Sequence, residues 1–427
     1  MADCADEHHA LVVAVMSRPA VVGSLVVAVV AAGVLVSTQG TSQPPAEAAS
    51  HSSALRPDGA RRAASPAQLR AARLVPSDTV AVRRSLAQRL SLNQLAGQRV
   101  IYAYAGLKPP ASLLAVIRAG EAAGVIFYGP NISSLSQIRA VVRELVKASA
   151  SSPVHAPLLM LTDQEGGEVR RLPGAPVLSE KQIGESANAV ALAAAAGVGA
   201  GRNLAGVGLN VNLAPVLDVF RQPGNFVDEF QRSYAGNPTT VARLGAAFIT
   251  AQQRMGVAAT AKHFPGLGAA TQSQNTDLAP VTIAASLQNL RAVDEAPYRS
   301  AIAAGVKLVM TSWAIYPALD PRLPAGLSPI VIGGELRGRL GFRGVTITDG
   351  IDAGAVTPVG ALSRRGVLAA EAGADLILCA ATNANDNTPA QGITVLHAVA
   401  SALGHHQLSL AAAQQAATRV LALRSHP

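Results

Sequence analysis

Residues 158–172 read LLMLTDQEGGEVRRL, an apolar run that stops abruptly at Asp163 and passes into a Gly-rich turn. The same grammar recurs in LNVNLAPVLDV (209–219), VAATAKHFPGLG (257–268) and VTITDG (345–350). In each, a short hydrophobic segment ends on polar residues: Asp163, Asp218, Lys262-His263 and Asp349. Working outward, short β-branched runs occur at 100–104, 124–128, 158–162, 209–213, 257–261, 308–311, 345–348 and 376–379. Ala/Leu/Arg-rich stretches with helical spacing lie between them, at 136–148, 190–204, 239–255, 287–304 and 363–372. Strands apolar on both faces, each followed by a helix, require a parallel sheet covered by helices. Eight such units predict an α/β fold, a (β/α)8 TIM-type barrel, as a single catalytic domain over residues 86–427. Such a barrel gathers its chemistry at the carboxyl ends of its strands, so these distant polar residues should face one pocket.

The chain has 427 residues, 49% hydrophobic and 14% charged, a balance that suits a folded protein rather than a disordered one. Two cysteines exclude a disulfide-framed secreted fold and a four-cysteine metal site. The net charge of +9 is concentrated: nine arginines and two acids lie between Ser50 and Val100. Without interleaved aromatics this stretch does not read as a nucleic-acid surface. Next to an apolar segment, it suits contact with an anionic envelope.

That apolar segment, residues 20–38, is about as long as the shortest membrane spans. Residues 1–40 are therefore read as carrying an anchor or signal, and 41–85 as a Pro/Ser/Ala/Arg-rich linker. The folded part is expected outside the cytoplasm, membrane-anchored or secreted.

Taken together, DQEGGEVRRL (163–172) and KHFPG (262–266), with Arg232-Ser233-Tyr234 and Met310-Thr311, resemble glycoside hydrolase family 3. The likeness is to its single-domain β-N-acetylglucosaminidases and runs from about Leu90 to Ala381. It implies a retaining glycosidase acting on cell-wall-derived glycan, with Asp349 as nucleophile. It assigns sugar binding to Asp163, Arg232, Lys262 and His263. The chemistry is consistent: a carboxylate must attack the anomeric carbon, and an Asp flanked by cationic donors can clamp a pyranose. Each residue also has a plainer reading. Asp349 would serve as a helix N-cap, Asp163 and Lys262 as a salt bridge across the barrel mouth, and His263 as a hydrogen-bonded core histidine. Gly166 and Gly167 provide either positive φ or plain turn positions.

The resemblance breaks on one loop. Relatives follow KHFPG with an Asp-x-His pair that supplies the general acid/base, whereas this chain reads KHFPGLGAATQSQNTDLAP (262–280). No histidine is present there, and Asn, Gln and Thr do not transfer protons near neutral pH. Asp277 is the only ionisable group left on the loop and is the candidate acid/base; its plainer roles are capping a turn or binding a hydroxyl.

Two alternatives accompany the hydrolase reading: a catalytically weak sugar-binding envelope protein, and a family 3 phosphorylase. The histidines are scattered without metal-ligand spacing, and neither a phosphate loop nor a G-x-S-x-G elbow occurs, so no metal and no cofactor are expected. With 3% aromatic residues there are few stacking platforms, which favours a terminal sugar over a long polymer.

Overall fold

The computed structural model describes residues 76–427, with side chains from residue 83. The expected anchor or signal at 20–38 lies outside the described residues. Eight strands, β1 (Val100–Tyr102), β2 (Gly124–Ile126), β3 (Leu159–Thr162), β4 (Val211–Asn212), β5 (Ala258–Phe264), β6 (Leu308–Thr311), β7 (Val345–Gly350) and β8 (Leu376–Cys379), close into a barrel in sequence order. Every neighbouring pair is parallel, including the closing pair β1–β8, where Ile101 lies opposite Leu378.

Period-2 alternation sorts the side chains. Ile101, Ile126, Leu161, Met310, Ile347 and Leu378 fill the barrel, while Val100, Tyr102, Ile377 and Cys379 point outward into the helix layer. Fully filled in this way, the barrel is a scaffold whose only opening for chemistry is at its ends. Long helices cover it where the spacing predicts them. Ala189–Val207 stops at Gly208, which adopts the left-handed conformation (φ 89°). Gly197 and Gly201 let this helix approach Pro238–Gln253: a Cβ on Gly197 would lie 2.4 Å from the Phe248 carbonyl oxygen.

Two expectations change in detail. The helix expected over 287–304 is broken: a wide turn at Leu290–Asp294 precedes a separate helix, Ala296–Ala303, because Pro297 lacks the N–H needed to continue. At the other end, helix Pro76–Arg89 runs across the expected linker boundary at 85/86. It packs on the last helix, Leu410–Ser425, which supplies Val420 and Leu423 to the interior cluster and so plugs the amino-terminal end of the barrel. Buried Arg424 pins that plug by donating to the carbonyls of Ala156 (2.8 Å) and Pro157 (2.6 Å).

Candidate active site

At the carboxyl end of β3 the chain turns back in a small hairpin, Gln164–Gly166 against Val169–Arg170. Gln164 holds this hairpin closed: its carbonyl side-chain oxygen accepts from the backbone N–H of Leu172 (2.9 Å), and its amide donates to the Ala175 carbonyl (3.0 Å). Where the β3–β4 ladder runs out, Asn212 substitutes for it, accepting from Gln164 N (2.9 Å) and donating to Gln164 O (3.0 Å). Gly166 (φ 124°) and Gly167 (φ 54°) both need the left-handed region, and a Cβ on Gly166 would sit 2.2 Å from the Leu178 oxygen. The hairpin thereby fixes Asp163 and Glu165 at the barrel mouth.

β5 brings Lys262 and His263 to the same place. Lys262 Nζ lies 2.9 Å from Asp163 Oδ1 and 2.7 Å from Glu165 Oε1. Arg232, on the loop beyond β4, forks onto both Glu165 oxygens at 2.9 Å each. The preceding Gln231 is set by the hydroxyl of Ser179 (3.0 Å), which fixes where Arg232 starts. Behind them, buried Asp218 accepts His263 Nδ1 (2.8 Å) together with the backbone N–H groups of His263 (3.2 Å) and Leu267 (2.7 Å). With Nδ1 donating to Asp218, Nε2 is the acceptor that faces Arg232 and the pocket.

Opposite charges outweigh desolvation here. Burial alone would raise the Glu165 carboxyl, but Arg232 and Lys262 hold it down to about 2. Asp163 is likewise lowered despite burial, by Lys262 and Arg171, while Lys262 is raised despite burial by its two carboxylates. Glu180, buried behind Glu165, moves the other way, pushed well up by burial and by the charge of Glu165.

Asp349 closes β7, half-buried, with Oδ1 accepting from Gly350 N (2.7 Å). The Gly350 carbonyl accepts from the Trp313 indole N–H (2.8 Å), which fixes this strand end. The next helical segment, Gly354–Val359, has Ala353 at its N-cap, so Asp349 is not spent on capping. Asp277 lies on the loop beyond β5. Its backbone oxygen accepts from Gly354 N (2.8 Å), and the Thr276 oxygen accepts from Ala355 N (3.1 Å), joining this loop to the segment that follows Asp349. No Cβ fits at Gly354, where it would meet the Leu278 oxygen at 2.1 Å. The carboxyl of Asp277 is exposed at the rim, yet protein crowding and the neighbouring charge of Asp349 raise its pKa, against Arg232 and His263.

Asp163, Arg232, Lys262, His263, Asp277 and Asp349 thus line one pocket of about 180 Å³. That is below the ~300–1,000 Å³ usual for a drug-sized ligand, and it suits one sugar unit. The plainer readings of three residues hold as well: Asp163–Lys262 is a salt bridge, His263 is a buried, bonded histidine, and both features face the cavity. Three contributors lie outside the residues expected from sequence: Glu165 completes the ion-pair chain, and Arg171 and Tyr128 line the wall. Asp218, expected to face the pocket, is instead buried behind it and orients His263. Glu165 and Arg171 stand inside the quoted DQEGGEVRRL segment and Asp218 closes the LNVNLAPVLDV segment that carries β4, so each carried a signal; Tyr128 carried none beyond its place after β2. Among the described residues no group of three or more His, Cys, Asp or Glu is placed to hold a metal.

The arrangement offers a carboxylate at the pocket wall, a second carboxyl whose pKa is raised, and a charge-paired clamp in the same lining. Residues 87–423 match the glycosyl hydrolase family 3 N-terminal domain. An uncharacterized secreted glycosyl hydrolase of Arthroderma benhamiae is 46% identical over 77% of this chain and 92% of its own length. A β-hexosaminidase of Stenotrophomonas maltophilia is 34% identical over 60% of this chain and 75% of that protein. Among solved structures, a family 3 β-N-acetylglucosaminidase from Paenibacillus superposes with a TM-score of 0.73 at 35% identity, over 79% of this chain and 62% of that one. A β-N-acetylhexosaminidase from Beutenbergia cavernae gives 0.70 at 32% identity, over 78% and 98%. The chain belongs to glycosyl hydrolase family 3, and its (β/α)8 barrel is that of a glycosidase.

Proposed function

We propose that this chain releases terminal β-linked N-acetylglucosamine, or a closely related sugar, from cell-wall-derived glycan with retention of configuration. The observation that carries the reading is the placement of Asp349 and Asp277 at one pocket also lined by Asp163, Lys262 and Arg232, which Glu165 links by ion pairs. Asp163, Arg232, Lys262 and His263 hold the sugar hydroxyls. The Asp349 carboxylate attacks the anomeric carbon as the glycosidic C–O bond breaks, and Asp277 gives its proton to the departing oxygen. Water then attacks the glycosyl-enzyme, Asp277 takes a proton from it, and the Asp349–sugar bond breaks. The raised pKa of Asp277 supports this role, since a general acid must still hold its proton at the working pH.

The sugar identity is supported by the names of the related hexosaminidases and by the single-sugar size of the pocket. The secreted relative supports action outside the cytoplasm, and residues 20–38 make a membrane tether part of the same proposal. The test is hydrolysis of 4-nitrophenyl β-N-acetylglucosaminide by the full chain in neutral detergent, beside Asp349→Asn and the corresponding glucoside. Turnover of the N-acetyl sugar alone, abolished in the variant, supports the reading. Saturable sugar binding with no turnover by the unaltered chain would replace it with a sugar-binding role.

A further inference from the structure

The opposite end of the barrel carries a second cleft, of about 520 Å³, bounded by the starts of β6 and β7, the last helix and helix Pro76–Arg89. Arg83, Lys307, Arg343, Arg419 and His426 line it, and among the described residues no carboxylate does. The floor is apolar, from Val306, Val345 and Leu423. Of the cations, Arg419 is already paired, with the fully buried Asp375. Arg337 reaches Oδ2 at 2.5 Å and Arg419 reaches Oδ1 at 2.7 Å. Arg83 donates to the His426 ring (3.0 Å), so even this contact sets a cation against a base rather than an acid. Arg83, Lys307 and Arg343 have no carboxylate partner among the described residues.

Three cations without a carboxylate partner among the described residues, converging on an apolar-floored concavity, create a positive potential that a multivalent anion would relieve. The Arg forks match tetrahedral oxyanions, and the floor accepts an organic substituent. We propose that this cleft binds a phosphate ester, with Lys307 and Arg343 on the phosphate oxygens and the organic part over Val345 and Leu423. The ester is either a soluble molecule or the head group of an anionic lipid. The site is independent of the sugar pocket, since it lies at the other end of the filled barrel.

The full chain in neutral detergent is titrated calorimetrically with glycerol phosphate, and separately with micelles containing phosphatidylglycerol or phosphatidylcholine. Two charge-matched variants are compared. Lys307→Glu/Arg343→Glu reverses the cleft, and Arg118→Glu/Arg143→Glu reverses exposed charge elsewhere. Saturable binding of glycerol phosphate, weakened at least tenfold by the cleft variant alone, supports a soluble ester. The same pattern seen only with phosphatidylglycerol assigns the lipid head group. No saturable binding of either probe, or equal weakening in both variants, overturns the proposal. Unchanged turnover of the aryl sugar in both variants shows that they are folded.

Discussion

Asp163, Lys262, Glu165 and Arg232 form a continuous chain of ion pairs at 2.7–2.9 Å, whereas the side chain of Asp277 makes no hydrogen bond or ion pair among the described residues. In the first group Asp163, Lys262 and Glu165 are buried and Arg232 is half-buried, set on the turn and hairpin after β3, on β5 and on the loop beyond β4. The second is held only through its backbone, on a loop bonded to the segment beyond β7. The electrostatics diverge accordingly: Glu165 is held at about 2, while Asp277 is raised by protein crowding at the rim and by Asp349. A clamp must not change charge during the reaction, and a proton donor must. The contrast between the two regions is therefore chemical as well as mechanical.

The sharpest way to break this contrast is at the residue between the two regions. Asp349→Asn should lower kcat by about 10⁴–10⁶-fold, the range seen when one member of a covalent catalytic unit is removed, with KM little changed. Asp277→Asn should cost about 10²–10⁴-fold on an alkyl glycoside, where protonation of the leaving oxygen is needed, and much less on a dinitrophenyl glycoside. It should also remove the alkaline limb of the kcat/KM profile. Because the Asp277 pKa is raised, that limb should lie above the ordinary carboxylate range, with activity lost as pH climbs through it. Equal losses on both leaving groups would end the assignment of Asp277 as acid.

The clamp should respond in stability instead. Glu165→Gln leaves Arg232 with an uncompensated charge and should cost roughly 3–5 kcal/mol in denaturant unfolding, with a rise in KM. The sign with pH follows from a depressed pKa. Glu165 contributes stability above its unfolded value of 4.5, and that contribution is lost as pH falls toward about 2. Acid unfolding between these limits should therefore be flatter in the Gln variant. The smallest effect is expected at Tyr128, whose phenol lines the pocket and whose pKa is raised well above 10 by burial, with Asp163 and Asp349 adding to it. Held neutral, it keeps its O–H donor for a sugar hydroxyl, and Tyr128→Phe should raise KM a few-fold with kcat nearly unchanged.

All eight strands were readable from sequence because a barrel strand is apolar on both faces and ends on a polar residue. The break at Pro297 and the helix across 85/86 were not, since helical spacing alone does not say where one helix yields to another. At the site, the six expected residues meet because they follow strands of one barrel. Glu165 and Asp218 were visible as letters, but their roles depend on which charge lies across the pocket, and spacing along one strand does not encode that. Tyr128 illustrates the limit: an aromatic residue after β2 reads as core until the barrel closes and sets it in the same pocket lining as Asp163, Asp277 and Asp349.

The central claim is that Asp349 forms the bond to the sugar. The full chain is incubated with a slowly turned-over fluorinated N-acetylglucosaminide bearing a good leaving group, quenched in acid, and mapped by peptide mass spectrometry. One glycosyl unit on the peptide carrying Asp349, absent from Asp349→Ala, is the predicted result. Steady turnover of the aryl N-acetylglucosaminide with no adduct at Asp349, or an adduct on another side chain, would contradict the account.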